Sequence, residues 1–138
     1  MGDWLTFHVA ALVLTAAPFG GMIFFMGVFA PAVFRFLPRE DAAPFMRALF
    51  PVYFRVMGIA TALPVLFLLA FPSYRPEALT LLAVAAIFFA QRYALLPALN
   101  RHREAGNEAR ATKLHRLSVV VHLAQWIAVA VILVRLSV

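Results

Sequence analysis

The sequence predicts an all-α membrane protein, an antiparallel four-transmembrane-helix bundle with a short interfacial helix after the first span. Three observations carry this expectation. The 138 residues are 64% hydrophobic and only 13% charged, whereas a soluble domain is typically about 45–50% apolar and about 25% charged. The apolar residues fall in long runs instead of the period of a water-facing surface, and the mean hydropathy is +0.91. Breaks rich in proline, glycine and charge divide these runs into four segments, each at least as long as the about 20 residues that a membrane helix needs. Short links between four spans imply an up-down bundle, one transmembrane domain over residues 1–138.

The first span is expected over about residues 4–34. It is longer than one crossing requires, so it tilts, projects or bends. Pro18, with Gly20 and Gly21, is the expected bend, because Pro18 lacks a donor and crowds the carbonyl of Leu14. Ala16 with Gly20 and Ala17 with Gly21 form small-residue pairs that permit close helix approach. Leu37 to Asp41 breaks this helix, and Glu40 or Asp41 opens a short amphipathic helix through Leu49 at the interface. Pro51 suits the first turn of the second span, over about residues 51–71, which stops before Pro72. The third span covers about residues 77–99, with Gln91 and Arg92 interrupting its second half. A polar loop over 100–112 contains Gly106 and Asn107, and the fourth span follows over about 113–136.

Lys and Arg set the expected orientation. The first link carries Arg35, Arg39 and Arg47, and the third carries Arg101, Arg103, Arg110, Lys113 and Arg116. The second link has only Arg75 and the C-terminus only Arg135. Links one and three are therefore expected in the cytoplasm, with both termini outside the bacterial inner membrane. The net charge of +6 follows from these flanking residues, so nucleic acid is not an expected partner; the lipid bilayer is. The N-terminus has no basic n-region followed by a short apolar core and cleavage site, and no removable signal peptide is expected.

Candidate chemistry centres on the last helix. His115, Ser118, His122 and Gln125 are spaced by three, four and three residues, which puts them within roughly an 80° arc of one face. A polar stripe on an apolar helix faces a partner helix, a cofactor or water. His122 lies about 10 Å deeper than His115 by helical rise. Either it hydrogen-bonds a neighbouring helix and fixes the bundle's register, or it serves a ligand. His8, one turn inside the first helix, is a second possible cofactor ligand, and haem b held by His8 and His122 is the alternative cofactor reading. Their expected heights differ by roughly 10 Å, which is awkward for a shared iron. Arg55 and Arg92 lie one to two turns inside their helices and are the anion- or lipid-binding candidates. With Arg35, Arg47, Lys113 and Arg116 they suit phosphate or carboxylate, although long side chains also snorkel to headgroups without any ligand. Met22 and Met26 form an i, i+4 pair that reads as packing.

Absences narrow the function. The chain has no cysteine, which excludes thiol catalysis and thiolate metal sites. All six carboxylates fall at helix ends or in links, so no acid-based proton relay crosses a span. No phosphate-binding loop, nucleophile elbow or zinc-protease motif is present. No catalytic residue, metal site or required cofactor is expected.

Two stretches carry a family resemblance: Phe19 to Pro38 (FGGMIFFMGVFAPAVFRFLP) followed by Leu49 to Phe54 (LFPVYF), and Leu114 to Ser118 (LHRLS) opening the last helix. Together they resemble the transmembrane protein 205-like domain family, whose bacterial members are mostly of unknown function. The resemblance implies four spans, a glycine-bearing first helix, and roles for Gly20, Gly21, Pro51, Tyr53, His115 and Ser118. Because Tyr53 and His115 both lie near cytoplasmic helix ends, Tyr53 is expected to hydrogen-bond His115 if links one and three adjoin. A lesser likeness links His8, a dozen residues before Gly20, to membrane protoporphyrinogen oxidases and copper-resistance D-type proteins, whose further histidine motifs are not matched here. The expected function is a non-enzymatic membrane role in small-molecule or lipid handling, or as an accessory subunit, with a homo-oligomer plausible for so small a bundle. The alternative is a haem b redox protein or porphyrin oxidoreductase.

Overall fold

The computed structural model describes residues 2–138. Four helical rods, Gly2–Phe36, Arg39–Leu68, Pro72–Glu104 and Glu108–Ser137, are each long and apolar enough to cross a membrane. No strand occurs among the described residues, and the chain is an integral membrane protein by length and composition of these rods. The first rod comprises α1 (Gly2–Phe24), a π-helical turn (Phe25–Phe29) and α2 (Ala30–Phe36). The second is α3 (Arg39–Leu68); the third joins α4 (Arg75–Ala90), a second π turn (Gln91–Leu95) and α5 (Leu96–Glu104); the fourth is α6 (Glu108–Ser137). Neighbours in sequence are neighbours in space, and α6 closes the ring against α1, α4 and α5. The second and fourth rods therefore stand on a diagonal.

The links are shorter than the sequence suggests, for local reasons. Pro38 is extended (φ −54°, ψ 145°), as is Leu37 before it, so the chain breaks there and restarts at once with Glu40 and Asp41 in the first turn of α3. The interfacial helix expected for residues 41–49 is thus not a separate element. It is the start of α3, which runs unbroken through Pro44 and Pro51, so Pro51 does not open a helix but lies inside one. The polar third link likewise contracts. Gly106 takes φ 74°, and Asn107 N–H reaches back to the His102 carbonyl at 2.8 Å, closing α5. The Asn107 side chain then accepts from Arg110 N–H at 3.2 Å and caps α6.

Regular α-geometry fails at the two π turns and not at Pro18, where α1 continues. Each π turn ends two residues before a proline, Pro31 or Pro97. A proline ring crowds the carbonyl four residues back. Widening the preceding turn so that Ala30 and Leu96 bond five residues back, to Phe25 and Gln91, relieves that crowding.

Close packing is selective. A Cβ on Gly58 would lie 2.9 Å from the Phe89 ring, and one on Gly21 would lie 3.0 Å from Met57 Cε, so these glycines set the approach of α3 to α4 and α1. Gly20 is exposed and a Cβ there would meet nothing within 4 Å, so of the two first-helix glycines only Gly21 makes a helix contact. Buried Thr15 and Thr61 satisfy their hydroxyls on the Ala11 and Met57 carbonyls of their own helices. At the end opposite the basic links, Arg135 Nε bonds Glu77 Oε1 at 2.6 Å, although Glu77 is only 4% exposed.

Candidate functional site

The four rods do not fill the space between them at the end that carries the first and third links. A cavity of about 450 Å³ opens there, lined by all four. The first rod contributes Phe25, Met26, Ala30 and Phe34, and the second contributes Ala43, Met46, Arg47, Phe50, Tyr53 and Phe54. These follow helical spacing, so each rod presents one continuous face. Leu95, Leu96, Leu99, Asn100 and Arg103 come from the third rod, and His115, Ser118, Val119 and His122 from the fourth.

Both π turns border this cavity, through Phe25 and Met26 on one side and Leu95 on the other. A π turn adds one residue to the helix and shifts the face that follows it, a device found often at functional sites. Here it separates the packing face of α4 from the cavity face of α5. Gln91, in the second π turn, is buried and donates from Nε2 to the Ser118 carbonyl at 3.5 Å, while its Oε1 has no partner.

Polarity is graded with depth. Arg47, Arg103 and His115 lie toward the link end, and Tyr53, Leu96 and His122 lie six or seven residues deeper on the same helices, about 10 Å by helical rise. The mouth is basic, the wall is apolar, and a polar pair closes the floor. No Asp or Glu lines the cavity.

The floor pair is Tyr53 and His122. The Tyr53 hydroxyl and His122 Nε2 share a hydrogen bond of 3.0 Å across the bundle's diagonal. Tyr53 is stacked on Phe25 with centroids 3.8 Å apart, and the edges of Tyr53, Phe54 and Phe88 surround the imidazole at 5.5–6.4 Å. His122 Nδ1 is buried without a partner. One turn further into the bundle, Gln125 Nε2 donates to the Val84 carbonyl at 3.1 Å, tying α6 to α4.

The sequence-derived candidates are thus redistributed. His115, Ser118 and His122 meet in one cavity, but Tyr53 bonds His122 and not His115, the partner expected from their common place near the cytoplasmic helix ends. The reason is depth: Tyr53 and His122 each lie fourteen residues from the start of their helices, about 21 Å by helical rise and at the same level, whereas His115 lies about 10 Å nearer the link end. His8 lies elsewhere, sharing a 3.2 Å hydrogen bond with Tyr74 and stacked on Trp4. His8, near the start of α1, and His122, midway along α6, therefore have different tyrosine partners and share no site in this structure. No cluster of three metal-ligating side chains occurs among the described residues.

Arg55 and Arg92 do not line the cavity. Arg55 is exposed, and Arg92 lays its guanidinium over the Tyr93 ring at 5.0 Å. The arginines that line it are Arg47 and Arg103, and Arg103 falls in the segment expected to be a polar loop but lies in α5. The signals that could have found this site are Pro31 and Pro97, two prolines inside apolar spans.

No curated protein and no solved structure matches the chain. Residues 13–108, more than half of its length and including both π turns, match the family described as Domain of unknown function (DUF4149), and the chain belongs to that family.

Proposed function

We propose that this protein holds a small amphiphilic molecule in the cavity between its four helices and acts in small-molecule or lipid handling without catalysing a reaction. The single observation behind the reading is the cavity itself. Its volume of about 450 Å³ falls in the range of ligand sites, about 300–1,000 Å³, and its mostly apolar wall with a few convergent polar groups has the usual composition of such sites. The absence of a carboxylate from the lining leaves no acid to work with His122, which supports binding over acid–base chemistry. The reading requires no cofactor. The separation of His8 from His122 removes what support the paired-histidine haem b alternative had in the sequence.

The distribution of Lys and Arg supports a bacterial inner-membrane location with the cavity mouth toward the cytoplasm and both termini outside. The wider relationship to the transmembrane protein 205-like family rests on the LFPVYF and LHRLS stretches, which supply Phe50, Tyr53, Phe54, His115 and Ser118 to the cavity. A homo-oligomer, or service as an accessory subunit, fits a bundle that is too small to enclose a full solute pathway.

Native mass spectrometry of the full chain, released from detergent after exposure to a total lipid extract, tests the reading. Retained small-molecule adducts are expected in the wild type and in Val120→Trp, which alters an outward position (64% exposed). They are expected to be lost in Ala43→Trp, which fills the cavity. Equal adducts in all three proteins, or none in the wild type, would overturn it.

A further inference from the structure

We propose that the cavity takes a compact anionic amphiphile, a carboxylate or phosphate monoester on a single apolar body. This deepens the reading of the cavity as a binding site and rests on it. Arg47 and Arg103 are the decisive residues. They come from different helices and line one apolar-walled space with no acidic residue in it. The ion pair found among the described residues, Arg135 with Glu77, lies at the other end of the bundle. Both guanidiniums at the mouth therefore lack a protein carboxylate.

Snorkelling does not account for them. An arginine that only anchors a helix has no need to border an internal space, and Arg55 borders none. Arg47, although exposed like Arg55, and half-buried Arg103 line the space that His115, Ser118 and Asn100 also border. Two guanidinium forks with hydrogen-bonding neighbours match the oxygens of a carboxylate or a phosphate, which each accept bidentate contacts. Apolar walls lower the local dielectric and strengthen that attraction.

Size and depth restrict the rest of the ligand. The apolar wall runs about 10 Å from the arginines to the Tyr53–His122 floor. At roughly 30 Å³ for a water-sized group, about 450 Å³ holds on the order of fifteen such groups. One medium-length chain or a small ring system fits; a lipid with two long chains does not. Residues of both π turns, Phe25–Phe29 and Gln91–Leu95, belong to this wall.

The test uses the full chain in nanodiscs of zwitterionic lipid, with radiolabelled decanoate, decyl phosphate and decanol, each measured against empty nanodiscs. Saturable binding of decanoate or decyl phosphate is expected, with decanol about tenfold weaker. The better-bound anion identifies the headgroup chemistry, and either one supports the proposal. Arg47→Gln with Arg103→Gln is expected to weaken anion binding about tenfold and to leave decanol unchanged. Arg47→Lys with Arg103→Lys, which keeps the charge and loses the fork, is expected to fall between. Arg55→Gln with Arg92→Gln is expected to bind like the wild type. If decanol binds as well as the anions and both Arg47/Arg103 pairs match the wild type, the anionic ligand class is wrong while the amphiphile site stands. The class also fails if the Arg55/Arg92 pair alone abolishes anion binding. If none of the three probes binds saturably, the amphiphile site itself is wrong.

Discussion

Tyr53 and His122 meet across the diagonal of the bundle, hydroxyl to Nε2 at 3.0 Å, and so connect two helices that otherwise touch little. Each is nearly buried, at 8% and 7% exposure, so removing one leaves the polar atom of the other without its protein partner. Tyr53→Phe and His122→Ala are each expected to lower stability, and a double-mutant cycle is expected to give a coupling of about 0.6 kcal/mol, the average for hydrogen bonds between membrane helices, and at most about 1.7 kcal/mol. The cycle of Tyr53→Phe with His115→Ala is expected to be additive within about 0.5 kcal/mol. Unfolding in mixed micelles reads both. Coupling to His115 in place of His122 would mean that the diagonal bond does not form.

The architecture was open to reading from the sequence because it depends on composition and run length, which lipid imposes directly. The stripe His115, Ser118, His122 was visible for the same reason, since a polar face on a membrane helix has to point inward. Its partner was not visible. Which residue meets His122 depends on how far each helix projects beyond the membrane, and α6 starts five residues before the expected span because Asn107 caps it. Arg103 was hidden by its company. It lies among charged residues that read as a loop, whereas Gly106 delays the end of α5 until after it. The π turns left only Pro31 and Pro97 as traces, and a proline inside a span more often marks a kink.

The Glu77–Arg135 pair makes an asymmetric prediction. Glu77 is buried and keeps one oxygen, Oε2, without a partner, while Arg135 is 60% exposed. Removing the arginine strands a buried carboxylate, but removing both charges leaves no unpaired buried charge. Arg135→Ala is expected to lower stability by about 1–3 kcal/mol, and adding Glu77→Gln to it is expected to recover most of that loss. Thermal unfolding of the two single variants and the double variant decides the matter. A double variant less stable than Arg135→Ala would show that the carboxylate is satisfied some other way.

Gly58 and Gly20 provide an internal comparison within the membrane. A side chain at Gly58 meets the Phe89 ring at 2.9 Å, and one at Gly20 meets nothing. Gly58→Val is therefore expected to cost about 1–3 kcal/mol as an overpacked contact. Gly20→Val is expected to stay within about 0.5 kcal/mol, as for an exposed position. The same unfolding measurement compares them, and equal costs would show that Gly20 also packs against a helix, which in this fold would have to come from another molecule.

The second π turn allows a sharper test, by deletion. Removing one residue from a regular helix rotates everything after it by about 100° relative to what came before. A π turn already contains one residue more than the regular helix needs. Deleting Ala94, within Gln91–Leu95, is therefore expected to convert the turn to α-helix while Phe88 keeps facing the core and Leu96, Leu99 and Arg103 keep facing the cavity. What it costs is the restored crowding at Pro97, about 3 kcal/mol. Deleting Ala86, an equally exposed alanine in regular α4, is expected to turn those three residues off the cavity and to prevent folding. The full chain should thus be recovered from membranes with Ala94 deleted and not with Ala86 deleted, and equal loss of both would show that the turn does not set the register of the cavity face.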